Sequence, residues 1–139
     1  MNRVEFSAAN GCIDIKVDGV ALEAHARRAE LESASAAGQA DLAGAYAGLT
    51  PLHTVRWPSR HFLGAPALGE PDGDTVLLGC DCGDWGCWPL LAQVDVTAAT
   101  VTWRNFSNEH RPDWDLSGLG PFTFDRDQYE AALRTTQEP

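Results

Sequence analysis

Along residues 74–106 apolar and polar side chains alternate in a way that predicts a three-stranded antiparallel meander with a glycine-rich acidic loop, 79–86, at its tip. Neighbouring side chains on a strand point to opposite faces. A register is therefore tested by asking whether it gathers the apolar set on one side. A four-residue connection through Gly83, Asp84, Trp85 and Gly86 sets Cys82 opposite Cys87, Cys80 opposite Pro89 and Leu78 opposite Leu91. A second turn over 97–100 sets Val96 opposite Val101, Val94 opposite Trp103 and Gln93 opposite Arg104. Leu77, Trp88, Leu90, Ala92, Val94, Val96, Val101 and Trp103 then share the expected core face. Cys80, Cys82, Cys87, Leu91, Gln93, Asp95, Thr102 and Arg104 take the other. Pro89 cannot donate to a ladder. Its partner on the third strand would be Asn108, beyond the expected strand end at Phe106.

Residues 3–18 predict a hairpin closed by Asn10-Gly11, the dipeptide that best tolerates positive φ at both turn positions. Its register puts Phe6 opposite Ile15 and Val4 opposite Val17, with Glu5 beside Lys16 on the polar face that also carries Cys12. An alanine-rich helix is expected over 20–37, with Leu22, Ala26, Ala29 and Leu31 inward and Glu23 four residues before Arg27. Gly38 ends it, and a second short helix is expected over 41–47 with Leu42 and Tyr46 inward. Four prolines make 50–74 irregular. After a long loop, 107–121, Phe122-Thr123-Phe124 predicts a strand leading into a C-terminal helix. Asp125 and Gln128 resemble a capping box, Phe124 and Tyr129 a hydrophobic staple. The class expected is α+β, one domain over 1–139: an antiparallel sheet from the N-terminal hairpin and the meander, with an Ala-rich helix and a C-terminal helix.

Charge narrows the partners. Twenty acidic against ten basic residues give a net charge of −10. Such a field repels phosphate backbones and anionic lipid, so neither nucleic acid nor a membrane surface is an expected partner. No apolar run approaches the ~20 residues that span a bilayer, and MNRVEFSAANGC lacks a secretory h-region. A cytoplasmic setting is the expectation, in which cysteines serve as thiols or metal ligands more often than as disulfides.

Two clusters carry candidate chemistry. Between Asp41 and Glu70 no acidic residue occurs, while His53, Arg56, Arg60 and His61 all do. This patch is a candidate anion site, with arginine as planar fork; the plainer alternative is pairing of its arginines with Asp81 or Asp84. Cys80, Cys82 and Cys87 share the outer face in the predicted register, and residues two apart on a strand are close enough for both thiolates to reach one tetrahedral metal. His110 is the nearest fourth ligand, with His53 and His61 as rivals. The spacing is not that of the recognisable double-pair zinc motifs, and Asp81 and Asp84 would add negative charge beside three thiolates. A Cys82–Cys87 disulfide or reactive thiol is a further alternative, and so is plain burial. Trp85, at the hairpin tip, is a candidate aromatic contact.

The runs YAGLTP (46–51), HFLG (61–64), GCDCGDWGCWPL (79–90) and FDRDQYEAAL (124–133) resemble a group of small conserved bacterial proteins to which no activity is assigned. The resemblance implies a single-domain bacterial protein and transfers no functional residue. The function expected is a non-catalytic binding or interaction domain, with an unknown protein or a small anionic ligand as partner and no obligatory cofactor. The alternative is a thiol- or zinc-dependent protein centred on Cys80, Cys82 and Cys87.

Overall fold

The computed structural model describes residues 1–9, 11–49, 60–64, 74–80, 88–108 and 110–136. They form an α+β fold of two antiparallel sheets and two helices. Strands β1 (Val4–Ala9) and β2 (Cys12–Val17) pair in the expected register, Ala9 with Cys12, Phe6 with Ile15 and Val4 with Val17. Val4, Phe6, Ile13, Ile15 and Val17 are buried, the period-two pattern of a strand with one face on the core. Asp18 (φ 54°) and Gly19 (φ 80°) turn the chain into β3 (Val20–Ala21), a third strand where the helix was expected to begin. The Asp18 carboxylate accepts from the Arg3 backbone N–H (2.8 Å) and Asn2 Nδ2 (2.7 Å), bonds that hold it below the usual carboxylate range.

Helix α1 (Leu22–Ala36) buries Leu22, Ala26, Glu30 and Ala34, one residue per i+4 step. Leu31 was expected inward and is instead 39% exposed. The apolar stripe has a charged member, Glu30, in its phase. Arg27 does not bond to Glu23; its Nη1 donates to the Ala43 carbonyl (3.4 Å), and Glu23 Oε1 is buried without a partner.

The short helix expected over 41–47 is a correction. A single 3-10 turn, Ala40–Leu42, gives way to strand β4 (Tyr46–Ala47). Gly44 lies at φ 70°, and a Cβ there would meet Arg27 Cβ at 2.5 Å and the Glu23 carbonyl oxygen at 2.8 Å. The chain passes α1 too closely, in the left-handed region, for a helix to continue.

β4 opens a five-stranded sheet, ordered β4-β5-β6-β7-β8, with β5 (Thr75–Cys80), β6 (Leu90–Val96), β7 (Thr100–Ser107) and β8 (Phe122–Asp125). The expected single sheet is thus two, joined by a parallel bridge from Asn2 to Phe124 and by the Ile13 N–H donating to Leu49 O (2.8 Å). β6 and β7 pair as expected from Val96/Val101 to Gln93/Arg104. The register then slips by one, Leu91 pairing with Ser107, where Asn105 adopts φ 54°. The β5–β6 register is corrected: Leu78 pairs with Leu90 rather than Leu91, and a bulge separates it from Val76/Leu91. Thr75 and Val76, neighbours on the regular part of the ladder, are both buried, so the sheet is covered on both sides here. Leu91, assigned to the outer face, is buried for the same reason.

Helix α2 (Arg126–Arg134) starts at Asp125, whose Oδ2 accepts from the Gln128 backbone N–H (3.0 Å). Phe124 and Tyr129 make the staple, ring centroids 5.5 Å apart. The capping box is only half made, because the Gln128 side chain turns away to β1. There its Oε1 accepts from the Val4 N–H (3.1 Å) and its Nε2 donates to the Val4 carbonyl (2.6 Å). Phe6, Phe62, Trp103, Phe124 and Tyr129 pack ring against ring between sheets and helix. Within this core the Tyr129 hydroxyl donates to Phe62 O (2.7 Å) and accepts from Trp103 Nε1 (3.1 Å). Tyr129→Phe leaves both groups unpaired, and urea unfolding is expected to show a loss of about 2 kcal/mol.

Candidate functional site

At the end of the sheet where β5 leads into 81–87 and β6 leaves it, three polar side chains from distant parts of the chain meet in the interior. Glu30 comes from α1, Tyr46 from β4 and Asn108 from just past β7. Glu30 is wholly buried. Its Oε2 accepts from the Tyr46 hydroxyl (2.5 Å) and its Oε1 from the Gly44 N–H (2.8 Å), while Asn108 Nδ2 donates to the same hydroxyl (3.2 Å). Burial pushes the Glu30 carboxyl above its ordinary range, against the two hydrogen bonds that favour the charged form. Burial and the Glu30 charge push the Tyr46 phenol strongly upward, so it stays protonated. Asn108 Oδ1 accepts from the His110 backbone N–H (2.9 Å), which fixes the start of the loop that follows.

On this base stands an aromatic cluster centred on Trp88. The Tyr46 ring stacks on it at 6.5 Å between centroids, His110 lies parallel to it (6.4 Å, 9°), and Trp114 meets it edge-on at 5.8 Å. The Arg111 guanidinium sits over it at 4.9 Å and reaches Trp114 at 5.8 Å, both cation–π distances. Arg111 Nη1 donates to the His110 carbonyl (2.7 Å) and Nε to Gln39 Oε1 (3.3 Å). Among the described residues no carboxylate lies within ion-pair distance of it. Two of its five N–H donors are committed, and its charge is not neutralised. The Trp88 indole N–H is buried with no acceptor.

Of the residues singled out from the sequence, Arg60, His61, Cys80 and His110 are among those described. Arg60 is exposed at the entry to a 3-10 turn, His61–Leu63. His61 is fully buried, with Nε2 2.6 Å from Val76 O, and burial holds it below the usual histidine range. The imidazole fills a core position beside Phe62, ring centroids 4.9 Å apart. His53, Arg56, Cys82, Trp85 and Cys87 lie outside the described residues. Cys80 ends β5, half-buried, opposite Tyr46 in the ladder. His110 is exposed, lies in a turn and is stacked on Trp88. Among the described residues no group of three or more His, Cys, Asp or Glu is arranged to hold a metal.

Glu30 and Asn108 escaped the sequence reading, although Glu30 carries a signal: it falls in step with Leu22, Ala26 and Ala34. Arg111 and Trp114 were noted only as loop content. Comparison with protein-family models, curated proteins and solved structures gave no match to this chain. No helix among the described residues is long and apolar enough to cross a membrane.

Proposed function

We propose that this is a non-catalytic binding domain, bacterial and cytoplasmic, whose contact surface is the Trp88–His110–Arg111–Trp114 cluster. The group it recognises is a carboxylate or phosphate, carried by a small ligand or by a protein partner. One observation carries the reading: a guanidinium held over Trp88 with donors to spare and, among the described residues, no carboxylate beside it, in a chain with twenty acidic residues. A clamped arginine has little freedom left to lose on binding, and it pairs with planar anions through two parallel N–H donors. The net negative charge disfavours nucleic acid and anionic membranes as the source of that group.

Tryptophan fluorescence during titration with inorganic phosphate, citrate and a glutamate-rich peptide tests this. At least one probe is expected to give a saturable change that weakens with salt, and Arg111→Ala is expected to reduce affinity roughly tenfold. No saturable response to any probe, or equal affinity in the variant, overturns the reading.

A thiol- or zinc-dependent role for Cys80, Cys82, Cys87 and His110 is the second reading. It is favoured by Cys80 and His110 flanking the same Tyr46–Trp88 stack. About one zinc per purified chain, lost in Cys80→Ser, would support it; metal-free protein with four titrating thiols would end it.

A further inference from the structure

Away from the tryptophan cluster, a groove of about 800 Å³ runs between α1 and the 115–122 segment, a size that suits small ligands. His25, Arg28 and Glu32 line it from the helix, at the three- and four-residue steps that share a helix face. Asp115, Ser117 and Phe122 line it from the opposite wall.

Arg28 and Glu32 are spaced for an ion pair and do not make one. The comparison within the chain is direct: Arg126 and Glu130, in the same order and spacing on α2, pair at 3.2 Å. Among the described residues neither Arg28 nor Glu32 has a hydrogen bond or ion pair. Both charges are left to whatever fills the groove. Asp115 Oδ1 accepts from the Ser117 N–H (2.9 Å), and the Asp115 N–H donates to Ser33 Oγ (3.0 Å), which ties this wall to the helix. His25 Nε2 is 2.9 Å from Val17 O; a carbonyl only accepts, so that nitrogen donates. The imidazole meets Phe122 edge-on at 5.3 Å.

A cation and an anion one helical turn apart, with a second anion and an aromatic ring on the facing wall, are complementary to a molecule with both charges. We infer that the groove binds a small zwitterion with a free carboxylate and a free ammonium, of amino-acid or dipeptide size. The carboxylate is taken by Arg28, the ammonium lies between Glu32 and Asp115, and an apolar side chain rests on Phe122. This site is independent of the Trp88 cluster.

The test is a ¹⁵N-resolved NMR titration with L-phenylalanine, the dipeptide phenylalanylglycine, phenylalanine amide and N-acetylphenylalanine. Saturable shifts confined to α1 and 115–122 are expected from at least one of the first two. The tighter of them identifies the source as free amino acids or short peptides. Each blocked form is expected to bind at least about fivefold more weakly. Arg28→Gln should abolish discrimination against the amide, and Glu32→Gln discrimination against the acetylated form. Both positions are exposed, so both variants should melt like the parent, and Arg111→Ala should bind the zwitterion unchanged. The inference is overturned if neither zwitterion saturates the shifts, or if the blocked forms bind as tightly as the free ones.

Discussion

Glu30→Gln is expected to make the protein more resistant to unfolding above neutral pH and to leave it nearly unchanged at pH 4. Burial is the larger cause of the raised carboxyl, so the folded chain holds this proton more tightly than the unfolded chain. The stability Glu30 contributes is whole below the ordinary glutamate value of 4.5 and is lost as pH rises through the folded value. Glutamine reproduces the protonated acid, its carbonyl accepting from Gly44 and its amide donating to the Tyr46 oxygen, and it cannot ionise. Glu23, raised in the same direction by burial, keeps a residual alkaline slope. His61 runs the other way: its lowered folded value gives stability that is present above 6.5 and lost as pH falls through that folded value. Thermal melts of parent and Glu30→Gln from pH 4 to 9 should therefore diverge with rising pH; curves that stay parallel would refute the assignment. Glu30→Ala behaves differently, because it strands the Tyr46 hydroxyl and the Gly44 N–H in the interior. A loss of about 3 kcal/mol in urea at neutral pH is expected.

Gly48→Ala should be as damaging, although the position is not deeply buried. A Cβ there would collide with the Ile13 carbonyl oxygen and stand 2.9 Å from the Ile13 carbonyl carbon. These are backbone atoms of β2 and cannot swing aside as a side chain would. The neighbouring Leu49 carbonyl accepts the Ile13 N–H, so the 46–49 segment has to lift off β2 and lose that bond. About 3 kcal/mol is the expected loss, with faster hydrogen exchange of the Ile13 amide. A variant that keeps both the parent's stability and that amide's protection would show the approach is not as close as described.

The N-terminal hairpin and the β6–β7 pairing could be read from the chain because tight turns fix their registers and alternation gives each strand a definite phase. The β5 pairing could not. Thr75, Val76, Leu77 and Leu78 are all buried, so an apolar run supplied no phase, and nothing local announces the bulge. The misplaced 41–47 helix has a tertiary origin, the passage of Gly44 against α1. Trp88, read as core, proves to be the centre of a half-buried cluster, since its partners His110, Arg111 and Trp114 reach it only through loop packing. Ala29 and Glu30 differ by one step on a helix wheel, and only the four-residue spacing from Leu22 and Ala26 marks the charged one as the inner of the two.

The grip of Gln128 on Val4 has a consequence for life at high concentration. β1 is the outer strand of its sheet, and an uncovered outer strand invites a second chain to dock along its backbone. The Gln128 amide occupies the Val4 donor and acceptor as a neighbouring strand would, and Thr135 Oγ1 takes the Phe6 carbonyl (2.9 Å). Helix α2 thereby serves as a guard against self-association, resisting filament growth from this rim with side chains where other proteins spend another strand.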